Sequence, residues 1–115
     1  MELKNFNSIY FLGIGGIGMS ALARYFHSQG FKVSGYDKTP SEITSQLRSE
    51  GIEVRFEEES DLSSFDLKKD LIVYTPAIPV DFSELLFFQN NGFHVLKRSQ
   101  VLGLITKASK GIGVA

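Results

Sequence analysis

The sequence predicts an α/β domain, an open and mainly parallel five-stranded sheet with helices on both faces. Three observations predict it. The apolar run Ile9-Tyr-Phe-Leu12 ends abruptly in Gly13, Gly15, Gly16 and Gly18, and helix-forming residues follow at once. Further short apolar runs then alternate with segments that carry helix caps, the pattern of strand–helix–strand units. The first strand shows no polar–apolar alternation, as expected when both of its faces are covered.

Bulk properties narrow the function classes. A chain of 115 residues forms one domain with a respectable core, and 43% apolar and 22% charged residues are ordinary globular values. A net charge of −1 and a pI near 6.1 leave no basic stripe for nucleic acid. No apolar run approaches a membrane span, and Met1-Glu-Leu-Lys is no signal peptide, so the expectation is a cytoplasmic protein with no membrane partner. The absence of cysteine excludes disulfides and thiolate metal sites, and His27 and His94 are isolated, so no metal is expected.

Taken in order, residues 8–13 form the first strand. A helix over about 17–29 turns Gly18, Ala21, Leu22 and Tyr25 toward the sheet, and Gly30 closes it. Residues 31–36 form a second strand that delivers Asp37 to its carboxyl end. Thr39-Pro40-Ser41-Glu42 reads as a capping box with Thr39 as cap, opening a helix that turns Ile43 and Leu47 inward and stops at Gly51. Residues 52–56 are a short third strand, and Glu57-Glu58-Glu59-Ser60-Asp61 a solvated acidic loop. Residues 71–74 form the fourth strand and enter Thr75-Pro-Ala-Ile-Pro79, an extended loop. Asp81 caps the next helix with Glu84 three residues on, and Gly92 ends it. Residues 93–96 are the fifth strand, and Ser99 caps a helix through about Lys107. Lys110–Ala115 reads as the start of another buried strand, as in a fragment cut just inside a following domain.

In such a sheet ligands lie beyond the carboxyl ends of the strands, where the loops Gly13–Ser20, Asp37–Thr39 and Thr75–Pro79 should meet. Gly13 permits a sharp turn. Gly15 and Gly16 bring bare backbone N–H groups against phosphate oxygens, and Gly18 lets the helix pack tightly on its strand. The helix start adds N–H donors and the positive end of its dipole. Asp37 follows Gly13 by 24 positions, near the offset of an acid that binds a ribose diol. It could instead accept from a uracil N–H or serve as a plain turn aspartate. Thr75, Ala77 and Ile78 face the ligand or merely form a proline loop. Arg98 could reach a phosphate, although an exposed surface arginine is the plainer reading. Both histidines read as structural. No nucleophile–base pair or carboxylate pair is present, so no catalytic residue is assigned: the domain binds. On close-approach grounds Gly15→Val should abolish binding and leave the fold largely intact.

Four segments in order, Gly13-Ile-Gly-Gly-Ile-Gly-Met-Ser20-Ala-Leu-Ala, Ser34-Gly-Tyr-Asp37, Thr75-Pro-Ala-Ile78-Pro and Val95-Leu-Lys-Arg98 with Leu102, resemble the N-terminal domain of the UDP-N-acetylmuramate–L-alanine ligases, of the Mur ligase family of peptidoglycan synthesis. The resemblance covers essentially the whole chain. It implies a Rossmann-like domain over 1–108 that holds the UDP part of UDP-N-acetylmuramate, with 109–115 beginning a central ATP-binding domain. It also implies the reaction of the whole enzyme: ATP with magnesium phosphorylates the lactyl carboxylate, and the amine of L-alanine attacks the acyl phosphate. By position, Gly15, Gly16, Ile17, Gly18, Met19 and Ser20 would line the diphosphate, Asp37 and Thr39 would lie near the uridine, and Thr75, Ala77 and Ile78 would wall the other side. The catalytic lysine, the magnesium ligands and the alanine site would belong to domains this chain lacks, leaving no cofactor on the fragment itself.

Two departures bear on the uridine and ribose contacts. The family often has Gly-His where this chain has Phe56-Glu57, and Ser-Ser-Ala-Ile where it has Thr75-Pro76-Ala77-Ile78. The first loses an imidazole; the second keeps one hydroxyl and removes one backbone donor. The sister ligases that recycle murein tripeptide usually carry a bulkier glycine loop. From another class, an NAD(H)-binding regulatory or oxidoreductase module would use the same loop for a dinucleotide. A scaffold with an unused glycine turn would bind no nucleotide.

Overall fold

The computed structural model describes residues 3–59 and 61–111, with side chains through 106. After a 3-10 turn over Leu3–Asn5 come β1 (Ser8–Leu12), α1 (Ile17–Ser28), β2 (Lys32–Tyr36), α2 (Glu42–Ser49) and β3 (Glu53–Arg55). Then follow β4 (Asp70–Tyr74), α3 (Ser83–Asn90), β5 (His94–Lys97) and α4 (Arg98–Gly111). The strands form one five-stranded sheet in the order β3-β2-β1-β4-β5, and every pairing is parallel. The expected α/β class and the helices on both faces are therefore present, and the sheet is wholly parallel.

Successive residues of β1 and β4 point to opposite faces and build two cores. Ile9, Phe11, Leu71 and Val73 pack with Met19, Leu22, Ala23 and Phe26 of α1, Leu47 of α2 and Val101 of α4. Tyr10, Leu12 and Ile72 pack with Leu85 and Phe88 of α3 on the other face. Both faces of the central strands are covered, which is why their sequence carries no alternation.

Several local expectations shift. The buried face of α1 is Met19, Leu22, Ala23 and Phe26, one residue later than the set beginning at Gly18, and Tyr25 is 42% exposed. The cap of α2 is Ser41, whose Oγ accepts the N–H of Thr44 at 3.2 Å while Thr44 Oγ1 accepts the N–H of Ser41 at 2.8 Å. Thr39 is not the cap, because its N–H still donates to Asp37 Oδ1 at 3.0 Å and the chain is still turning there. Asp81 does not cap α3; Phe82 stands at that position without a side-chain bond, and Glu84 turns into the core. Residues 75–78 form a tight turn closed by the Ile78 N–H to the Thr75 carbonyl at 3.0 Å, not an extended loop. α4 begins at Arg98, and Gln100 Oε1, rather than Ser99, accepts the N–H of Lys97 at 2.8 Å. Lys110 and Gly111 continue this helix, which replaces the strand expected there; residues 112–115 of that expectation lie outside the described residues.

Candidate functional site

Strand register sets the geometry of the site. Leu12 is level with Tyr36 of β2 and with Tyr74 of β4, and Tyr74 is level with Lys97 of β5. The next residue of each strand is Gly13, Asp37, Thr75 or Arg98, so these four start in one row past the carboxyl edge. The chain runs outward from β1 in both directions, to β2 and β3 on one side and to β4 and β5 on the other. Their row therefore marks the topological switch point, where open α/β sheets take ligands.

The glycine loop hangs on the end of β2. The N–H groups of Gly13 and Ile14 both donate to the Tyr36 carbonyl, at 2.8 and 3.1 Å. Gly13 has φ +92°, and a Cβ there would lie 2.8 Å from Thr75 Cγ2, so turn and neighbour both demand glycine. Gly16 precedes α1 without any side-chain cap. The N–H of Ser20 returns to the Gly16 carbonyl at 2.8 Å, which leaves Ile17, Gly18 and Met19 as first-turn donors without helical partners.

A cleft of about 400 Å³ opens over this loop. Of the residues expected at the site, Gly16, Ile17, Gly18, Met19, Asp37, Thr75, Ala77 and Ile78 line it. Ile17, one of the lining residues, leaves 82% of its surface exposed. Gly15, Ser20 and Thr39 do not line it. Ser20 is buried with its Oγ donating to the Ile17 carbonyl at 3.0 Å, and Gly15 and Thr39 are bound to Asp37. The N–H of Gly15 donates to Asp37 Oδ2 at 2.8 Å, and a Cβ at Gly15 would stand 2.7 Å from that same oxygen. Gly15→Val therefore strikes the Asp37 carboxylate first, and the expectation that it spares the fold is revised. Gly18, expected to make room for a strand, makes room for Arg98: a Cβ there would lie 2.7 Å from Arg98 Nη1.

Gly13, Lys38 and Arg98 complete the lining, so two cations share the cleft with one carboxylate whose oxygens each already accept a backbone N–H. Arg98, for which an exposed surface position was the plainer reading, lines the cleft because of the β4–β5 register, which no local pattern announces.

A second set of polar groups, none of them in the cleft lining, joins β1, β3, α3 and the acidic loop. Glu84, 0% exposed, accepts the Tyr10 hydroxyl at 2.6 Å through Oε1 and the N–H of Glu59 at 2.9 Å through Oε2. Arg55 Nη2 reaches Glu84 Oε1 at 3.5 Å and hydrogen-bonds the Tyr10 hydroxyl. Burial, then the hydrogen bond to Glu84, push the Tyr10 hydroxyl well above the ordinary tyrosine range. The acidic loop is thus tied down at Glu59, and Ser83 Oγ donates to Glu58 at 2.6 Å. A larger, mostly apolar cavity of about 680 Å³ lies at the opposite, amino end of the strands, lined by Phe6, Phe26, Phe31 and Ile105 among others. It lacks the glycine turn and the open helix start.

The chemistry of the upper cleft suits an anion, and sheets that receive a nucleotide at this switch point form the Rossmann-like α/β class. Within that class the chain belongs to the Mur ligase family: the family profile, described as Mur ligase family, catalytic domain, matches residues 8–110. The UDP-N-acetylmuramate–L-alanine ligase of Porphyromonas gingivalis (strain W83) is 56% identical over 110 residues, 93% of this chain and 24% of that protein. The enzyme of the same name from Phocaeicola vulgatus is 51% identical over 119 residues, 100% of this chain and 26% of that protein. The crystal structure of the UDP-N-acetylmuramate–alanine ligase of Thermotoga maritima superposes with a TM-score of 0.78 at 31% identity, covering 90% of this chain and 23% of that one. The chain spans about a quarter of the length of the relatives it matches.

Proposed function

We propose that this chain is the UDP-binding domain of an ATP-dependent UDP-N-acetylmuramate–L-alanine ligase of peptidoglycan synthesis, acting in the cytoplasm. The cleft at the switch point holds the UDP part of UDP-N-acetylmuramate and leaves the lactyl carboxylate to extend toward the rest of the enzyme. The diphosphate lies against the first-turn N–H groups of α1, which no side chain caps. The uridine lies between the Asp37 side and the Thr75–Ile78 turn, with Ile17 offering an apolar contact. The single observation that carries this reading is the coincidence of that open helix start with the glycine turn at the switch point, in a chain 56% identical to a ligase of this name.

On this reading the domain of residues 1–108 supplies binding and orientation, and 109–115 lead toward the ATP-binding part. Among the described residues no group of three or more His, Cys, Asp or Glu could hold a metal ion. ATP and L-alanine are served by parts of the enzyme beyond this quarter. Among the described residues no helix is long and apolar enough to cross a membrane. The test is a chemical-shift titration of the chain with UDP-N-acetylmuramate. Shifts concentrated at residues 13–19, 37–39 and 75–78 support the reading. Shifts confined to the apolar cavity around Phe6 and Phe31 overturn it.

A further inference from the structure

α4 joins the two edges of the sheet. It opens at the carboxyl edge directly after Lys97 of β5 and turns Val101 into the same core as Leu71. One turn further on, Ile105 lines the cavity of about 680 Å³ at the amino end. The helix continues to Gly111, so whatever follows it departs from the edge where the cavity lies.

This cavity cuts into the domain's own core. Phe6 and Phe26 on its walls belong to the buried cluster under α1, whereas Leu3, Phe31 and Ile105 pack against that cluster only partly buried. Tyr25, also on the wall, is 42% exposed. The walls are braced from within: Phe26 makes T-shaped contacts with Tyr25 and with Phe31, each with ring centroids 5.3 Å apart. Asn7 and Gln29 add exposed side-chain amides that hydrogen-bond nothing among the described residues. A concave apolar surface with a polar rim suits a second folded part better than it suits water.

We propose that the cavity seats the part of the protein that follows α4, an apolar segment of which packs between the end of α1 and Ile105. Two observations choose this occupant over a second copy or a small apolar molecule. α4 delivers the continuing chain to that edge, and this chain covers only 24% and 26% of two ligases it resembles, so a large following part must be placed. Docking at the amino edge leaves the mouth of the cleft, at the other end of α4, open to its ligand. The proposal rests on the reading that this chain is the first domain of a ligase whose ATP-binding part comes next.

The experiment uses Tyr25→Cys, with Leu86→Cys on α3 as the control, in this cysteine-free chain and in the full-length ligase that carries it. Maleimide modification at each position is timed by peptide mass spectrometry, and thermal midpoints confirm that both variants of the chain fold as the parent does. In the isolated chain both thiols should react at rates independent of protein concentration. In the full-length protein Tyr25→Cys should react roughly tenfold more slowly or worse, as the core of a packed interface excludes solvent, while Leu86→Cys keeps its rate. Tyr25→Glu should lower the midpoint of the full-length protein and leave that of the isolated chain unchanged. Equal Tyr25→Cys rates in the two proteins overturn the proposal. Protection in the isolated chain that grows with concentration also overturns it, and assigns the cavity to a second copy. A full-length protein that fails to bind UDP yet protects Tyr25→Cys sinks the ligase reading and leaves the seat standing. One that binds UDP with Tyr25→Cys unprotected sinks the seat alone.

Discussion

Asp37 Oδ2 accepts the N–H of Gly15 at 2.8 Å across 22 positions of sequence, and Asp37 Oδ1 accepts the N–H of Thr39 at 3.0 Å. One carboxylate therefore holds the glycine loop and the turn after β2 in a fixed relation, and the cleft between them is shaped before a ligand arrives. Preorganisation of this kind saves the ordering cost that binding would otherwise carry.

Asp37→Ala should lower stability by about 1–2 kcal/mol, the usual effect of losing such bonds, and weaken UDP binding through a loosened loop. Asp37→Asn keeps one acceptor and should fall between parent and alanine. Urea midpoints together with UDP affinities check this. Equal affinities in all three would show that the clamp does not shape the site.

Gly15 and Gly16 should separate cleanly. Gly15→Ala places a methyl 2.7 Å from Asp37 Oδ2 and should reduce stability. Gly16 has φ −66°, and a Cβ there would meet nothing nearer than 3.7 Å, so Gly16→Ala should melt like the parent. Its added methyl would instead stand between the backbone and a phosphate, and UDP binding should fall. The two readouts are thermal midpoint and UDP affinity; the reverse pattern would contradict the placement of the diphosphate.

Glu84 ties α3 to β1, β3 and the acidic loop through Tyr10, Arg55 and Glu59. Removing one member of a buried, charged network strands the others, so Glu84→Ala should cost about 3 kcal/mol or more in denaturant unfolding. Glu84→Gln retains the shape and one acceptor and should cost less. A loss below about 1 kcal/mol in Glu84→Ala would place the network at the level of an exposed pair.

The same network predicts an alkaline limit. The Tyr10 hydroxyl ionises at higher pH in the folded chain than in the unfolded one, because burial and Glu84 disfavour the phenolate. The unfolded state thus releases its proton first, near the ordinary tyrosine value of 10.0, and this contribution, whole below pH 10, drains away above it by about 1.4 kcal/mol per pH unit. Tyr36 shifts the same way, chiefly through burial, and adds to the trend. Unfolding free energies at pH 8, 10 and 11 should fall over the last interval, and less steeply in Tyr10→Phe. An equal slope in both would remove Tyr10 as the cause.

Much of this architecture is legible in the chain because its signals are local. An apolar run, a glycine turn and a helix start lie within Ile9–Leu22, and all three survive in the fold. The errors arise where local rules are degenerate. On α1 the sets 18, 21, 22, 25 and 19, 22, 23, 26 have the same spacing, and only packing against β1 and β2 chooses the one with Met19 and Phe26. Glu84 has the look of a capping residue, yet its partner Tyr10 is 74 positions away, a contact no local window contains. Eight of the eleven expected site residues line the cleft, because the glycine loop and the turn after β4 announce themselves. Gly15 and Thr39 fall out because Asp37 takes their N–H groups, and Arg98 enters because β5 pairs with β4.

The central claim, that this cleft holds the UDP part of UDP-N-acetylmuramate, is tested most directly by calorimetric titration of the chain with UDP-N-acetylmuramate, UDP and NADH in parallel. Heat from both UDP compounds, weakening as salt rises, with none from NADH is the expected result. Binding of NADH with no response to either UDP compound would contradict the account and assign the glycine loop to a dinucleotide.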